Sequence, residues 1–120
     1  MSDYTAPINL PDHKLGDRWV GMVIGPILIG AAQPAVTLAR VRMHFRQGAA
    51  VYRLDSDATL RDAPITITNA TTWIATIPVV ESGFLAKAGI WAFDVEFWGT
   101  GQGPVTLLRG TMTVHTDVTK

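Results

Sequence analysis

The chain has 120 residues, of which 48% are hydrophobic and 17% charged, with ten Lys plus Arg balancing ten Asp plus Glu, three His and no Cys. A chain of this length forms one domain and buries roughly two thirds of the surface its unfolded form exposes, so a core assembles without covalent or metal staples. The missing cysteines exclude a disulfide scaffold, a thiolate zinc site, an iron–sulfur cluster and a Cys nucleophile, and the zero net charge argues against general nucleic-acid binding.

Residues 1–17 hold Pro7, Pro11 and Gly16 and show little periodicity, which predicts an extended N-terminal arm outside a folded domain of residues 18–120. No residue between Arg18 and Arg40 carries a charge, and the stretch has the length of a membrane-spanning helix. Pro26, Pro34, Gly21, Gly25, Gly30 and Gln33, with the β-branched Val23, Ile24, Ile27 and Ile29, favour extended chain over a helix in lipid. Asp3, Asp12 and Asp17 stand where an export signal needs basic residues, so neither a membrane span nor secretion is expected.

A strand is predicted over residues 19–29, followed by a turn at 30–34. Residues 37–46 then alternate: Thr37, Ala39, Val41, Met43 and Phe45 form an apolar face, and Leu38, Arg40, Arg42, His44 and Arg46 a cationic one. Strands over 50–54, 65–68 and 72–77 come next, with Asp55-Ser56-Asp57 as a turn and Asn69-Ala70 as a short hairpin. Residues 80–87 are predicted to hold one helical turn. Residues 91–98 set Trp91, Phe93, Val95 and Phe97 against a mainly acidic row containing Asp94, Glu96 and Trp98. A Gly-rich hairpin over 99–104 leads to a strand over 105–115, whose alternation slips at Leu107-Leu108 and predicts a β-bulge near Gly110. The whole reads as an all-β, immunoglobulin-like antiparallel sandwich of about seven strands preceded by the arm.

Chemistry has little foothold in these residues. His13, His44 and His115 are scattered without metal-ligand spacing, and Asp55-x-Asp57 lacks the Gly and distant Glu of a calcium loop. Asp94 and Glu96 lie about 7 Å apart on one strand face, a separation that glycoside hydrolysis can use. Cross-strand pairing with Arg40, Arg42 and Arg46 is the preferred account, each exposed pair contributing roughly 0.2 to 1 kcal/mol. None of Ser2, Ser56 and Ser82 sits in a nucleophile elbow. Neither an enzyme nor a cofactor is expected, and no small-molecule ligand. Trp19, Trp73 and Trp91 are assigned to the core, while Trp98 either covers Arg stems or anchors another subunit. Asn69-Ala70-Thr71 matches a glycosylation acceptor but, without an export signal, reads as a plain turn.

The order of pieces resembles a known group. Gly16-Asp17-Arg18-Trp19-Val20-Gly21 enters the first strand, and Pro34-Ala35-Val36-Thr37-Leu38-Ala39-Arg40-Val41-Arg42-Met43-His44-Phe45-Arg46 forms the second. Leu85-Ala86-Lys87-Ala88-Gly89-Ile90-Trp91-Ala92-Phe93-Asp94-Val95-Glu96 and Thr106-Leu107-Leu108-Arg109-Gly110-Thr111-Met112-Thr113-Val114-His115-Thr116-Asp117-Val118-Thr119 follow. Over residues 16–119 this is similar to tailed-phage virion proteins with an immunoglobulin-like fold, such as the N-terminal domain of baseplate upper proteins and small tail or head accessory proteins. The departures are Ile90-Trp91, where Thr-Tyr is favoured, and Ala35-Val36-Thr37, where an Asp before the Leu is common. The resemblance implies a non-enzymatic structural subunit of tail, baseplate or fibre attachment, assembled in the host cytoplasm beside other virion proteins in symmetric copies, with no membrane or nucleic-acid partner. The candidate partner contacts are Tyr4, Pro7, Leu10 and Pro11 on the arm and Trp98, Arg40, Arg42 and Arg46 on the sheet. Alternatives are a capsid decoration protein, a carbohydrate-binding module stacking sugars on Trp98 and Trp73, and a hydrolase built on Asp94 and Glu96.

Overall fold

A computed structural model describes residues 7–28, 32–57 and 61–116. Over them the chain is all-β, with no helix and with two sheets. In the larger sheet β1 (Pro7–Asn9), β10 (Pro104–His115), β9 (Gly89–Gly99), β4 (Leu38–Gln47), β5 (Ala50–Asp55) and β6 (Ala63–Pro64) lie side by side in that order, and β2 (His13–Lys14) also pairs with β10. The smaller sheet runs β3 (Met22–Ile24), β8 (Ile74–Ile77), β7 (Thr66–Asn69). Its pairings are antiparallel, as are those among β5, β4, β9 and β10; β1, β2 and β6 pair in parallel.

Two-residue alternation builds the core. Val41, Met43 and Phe45 of β4 lie directly opposite Phe97, Val95 and Phe93 of β9, and all six are buried. Facing them are Ile24, Ala75 and Ile77 of the smaller sheet, with Trp73 beside them. Trp19, Trp73 and Trp91 are buried, and the indole N–H groups of Trp73 and Trp91 donate to the carbonyls of Val36 and Lys87, both at 2.8 Å.

Two irregularities correct the expected parity. The register shifts between Leu38 and Arg40, so Leu38 is buried and Ala39 exposed, opposite to a regular alternation. In β10 the shift falls between Thr106 and Leu108, turning Leu107 inward. The slip at Leu107-Leu108 is thus the bulge itself, and Gly110 pairs regularly with Phe93.

Residues 80–87 are not helical; they form bends that carry Phe84 and Leu85 into the core. Phe84 stacks on Trp19 with centroids 4.2 Å apart, and makes edge contacts of 5.3 Å with both Phe45 and Tyr52. It closes one end of the space between the sheets.

Among the described residues 19–28 only Met22–Ile24 is a regular strand, yet one antiparallel register holds over a longer stretch. Trp19 and Val80 exchange backbone hydrogen bonds of 2.9 Å, Met22 lies opposite Ile77, and the Ile27 N–H donates to the Thr72 carbonyl at 3.1 Å. Gly21 and Gly25 interrupt the ladder. Both have positive φ, and a Cβ on either would overlap a carbonyl oxygen, of Ile77 or Trp73 respectively. Among the described residues no helix is long and apolar enough to cross a membrane.

Over Pro7–Lys14 the expected arm does not stand clear of the body. It lies along β10, with Pro7, Ile8 and Asn9 opposite Arg109, Gly110 and Thr111. The Leu10 N–H donates to the Thr111 carbonyl at 2.9 Å, and Asp12 accepts from or pairs with the His115 ring at 2.7 Å. This pairing is carried by backbone groups, which explains why side-chain periodicity did not announce it.

Candidate functional site

Residues directly opposite one another across strands share a face, and the register therefore assembles the outer surface of the larger sheet. His44 of β4 lies between Arg53 of β5 and Asp94 of β9, and Asp94 in turn lies opposite Arg109 of β10. On one side of this row Arg42 faces Asp55 and Glu96, and beyond it Arg40 faces Trp98. The expected juxtaposition of the cationic and acidic strands is present: Arg42 pairs with Glu96, and Arg46 with Asp94 at 3.1 Å. Arg40 departs from the expected pattern. It reaches Asp55 instead, through Nε at 3.0 Å and a terminal nitrogen at 2.7 Å.

Asp55 is 2% exposed, so this two-pronged pair operates with little water around it. Its other contacts make it a node: the Asp57 N–H donates to it at 3.0 Å, tightening the turn expected at Asp55-Ser56-Asp57. The Arg40 guanidinium is held protonated more strongly than usual, first by its hydrogen bond to Asp55, with burial opposing.

Trp98 lies under two guanidinium groups, with the Arg40 carbon 4.5 Å and the Arg42 carbon 5.2 Å from the ring centroid. It therefore covers Arg stems, one of the two roles its position offered. A sugar stacking on this ring has to compete with both cations, and Trp73, at 1% exposure, offers no platform.

His44 is buried within the charged face, where the Arg46 guanidinium donates to Nδ1 at 2.9 Å. An acceptor at Nδ1 places the imidazole proton on Nε2, the neutral tautomer. Burial first, then Arg42 and Arg46, pushes its pKa below the ordinary 6.5. Burial likewise lowers His13, against Asp17, which raises it. His13 is 6% exposed, its Nε2 has no hydrogen-bond partner, and its ring meets the edge of Phe84 at 5.2 Å. Both folded pKa values lie below the unfolded value, so the unfolded chain binds more protons as pH falls. Stability is then complete above about pH 6.5 and declines below it. Denaturant midpoints are expected to fall between pH 7.5 and 5, and His44→Gln should flatten part of that slope. A midpoint that rises on acidification contradicts the assignment.

The remaining candidate contacts are dispersed. Tyr4 lies outside the described residues. Pro7 is in β1, Leu10 is partly buried against the core, and Pro11 is exposed. Leu10 and Pro11 line one wall of a groove of about 300 Å³ whose other wall is Trp19, Val20 and Met22. Among the described residues no group of three or more His, Asp or Glu is placed to hold a metal ion.

A second surface was not recognised as a site in the sequence. Val20, Val23, Leu28 and Val79 are exposed large apolar side chains, Val20 at 67% and Val23 at 64%. They gather at the β3 side of the smaller sheet, where β3 is the terminal strand. The signal in the sequence is the uncharged run from Trp19 to Ala39, whose composition favours extended chain over a helix in lipid. Neither the protein-family models nor the curated proteins include a match to this chain.

Proposed function

We propose that the chain is a non-enzymatic structural subunit of a tailed-phage virion, serving in the tail, baseplate or fibre attachment and assembled in the host cytoplasm with other virion proteins. Its body is an immunoglobulin-like sandwich. The strand order supports that reading: β1 and β2 beside β10, then β9, β4 and β5, against β3, β8 and β7, corresponds to an A′GFCC′ sheet over a BED sheet.

The observation that carries the assembly role is the division of the surface. The broad face of the larger sheet is occupied by its own ion pairs and by Trp98. Ile90 is exposed on that face's outer row, but the other exposed large apolar side chains, Val20, Val23, Leu28 and Val79, lie on the β3 side, where β3 has no second neighbour among the described residues. A rigid block with an ion-paired face and an apolar edge fits a part that repeats in an assembly, where symmetric copies multiply weak contacts. Asp94 and Glu96 are engaged by Arg46 and Arg42, which speaks for a structural role over general acid–base work.

The test is mass spectrometry of purified particles from a strain carrying the gene, combined with gold-labelled antibody against the folded chain. The chain is expected in the particles at a fixed stoichiometry, with label on the tail. Its absence from them overturns the reading, and label over the whole head replaces it with capsid decoration.

A further inference from the structure

We infer that the free edge of β3 is a self-association site, at which a second copy of this chain pairs antiparallel across a two-fold axis at Val23. Pro78 has no N–H, so the β3–β8 ladder is closed through the pairs Met22–Ile77 and Ile24–Ala75. Val23, between them, then turns its own N–H and C=O away from β8. Among the described residues no strand lies on that side. These two groups can be satisfied by the same two groups of another Val23, giving reciprocal hydrogen bonds and joining two three-stranded sheets into one of six strands.

Charge selects the occupant. No side chain from Trp19 to Ala39 is charged, and the edge has none of the lysines or inward charges by which edge strands ordinarily repel one another. A charged partner strand would bring its ions against Val20, Val23 and Leu28, whereas a second copy brings the same neutral row. Shape agrees with charge. In a pairing centred on Val23, Gly21 of one copy faces Gly25 of the other, so each exposed Val23 side chain lies between positions that carry no side chain.

The contact is short, because Pro26 ends the run of available N–H groups. An edge of roughly five residues a side falls below the ~1,200 Å² of ordinary stable interfaces, so an isolated pair is weak and gains strength only through repetition. The inference gives the assembly reading its contact, but it does not depend on the particle: absence from virions would refute that reading and leave the self-pairing intact.

Sedimentation equilibrium tests it on the whole chain. A monomer–dimer transition is expected in the range of about 0.1 to 1 mM. Val23→Lys places two like charges together at the axis and should move that transition at least ~10-fold upward in concentration, with circular dichroism unchanged because the side chain is already outside. The chain has no Cys, so a single Val23→Cys is informative. Paired residues of this type lie ~5.5 Å apart at Cα, within the ~4.4 to 6.8 Å that a disulfide spans. Val23→Cys should therefore cross-link faster than Ala92→Cys, an exposed position on the charged face. A chain that stays monomeric up to 1 mM, a dimer insensitive to Val23→Lys, or faster cross-linking at residue 92 overturns the inference.

Discussion

Phe84→Ala is expected to cost about 3 to 5 kcal/mol, comparable to the loss of any central core aromatic although Phe84 belongs to no strand. Its ring is buried among Trp19, Phe45, Tyr52 and His13, whose positions are fixed by the Trp19–Val80 bridge and by β4, β5 and β2 of the larger sheet. Those elements cannot all move inward to fill the space, so a cavity remains and its cost adds to the lost transfer of the ring from water. Chemical denaturation followed by tryptophan fluorescence checks this, since Trp19 loses its stacking partner in the same step. Val79→Ala, at an exposed position, should change stability by no more than about 0.5 kcal/mol. A Phe84→Ala variant within ~1 kcal/mol of the parent would show that residues 80–87 do not close the sandwich as described.

Gly21→Ala carries the other large effect, expected at about 3 kcal/mol or more. Its φ is +73°, and the added methyl would overlap the carbonyl oxygens of both Ile77 and Pro78. Relief requires separating this stretch from residues 77 and 78, which breaks the register that runs from Trp19–Val80 to Ile27–Thr72. Gly48→Ala supplies the comparison. Gly48 also has positive φ, +57°, but a Cβ there meets nothing within 4 Å, so only the left-handed conformation costs, about 1 kcal/mol. Thermal or denaturant unfolding of the two variants separates close approach from conformational strain. Equal losses at both positions would mean that chain 19–28 does not press against residues 72–80.

The strands that alternate most cleanly were legible before any coordinates. In β4 and β9 the apolar and charged rows differ so strongly that both the inward faces and the ion pairs between them followed from two-residue periodicity. The turn at Asn69 was legible for a related reason: its side-chain oxygen accepts from the N–H groups of Thr71 and Thr72, a habit of Asn in turns.

What could not be read has physical causes. A bulge reverses parity without any marker, so Leu38 and Ala39 were assigned to the wrong sides. Phe84 looked like part of a helical turn because a single aromatic in a loop has no period to follow. Pro7–Lys14 joined β10 through main-chain groups, which side-chain patterns do not report. Asp55 was legible as a turn residue but not as the partner of Arg40, because that contact depends on β5 folding back beside β4. The uncharged run after Arg18 raised the question of lipid for the same reason that it now marks an edge open to protein: both environments disfavour charge.

Amide hydrogen exchange at Val23, measured as protein concentration is raised, tests the open edge most directly. Rapid exchange is expected at micromolar concentration, where no neighbour among the described residues holds this N–H, and slowing as copies pair, while the amides of Val41, Met43 and Phe45 stay slow throughout. A Val23 amide already slow in dilute solution would show the edge covered within one chain, and one that remains fast at every concentration would show that no second copy binds it.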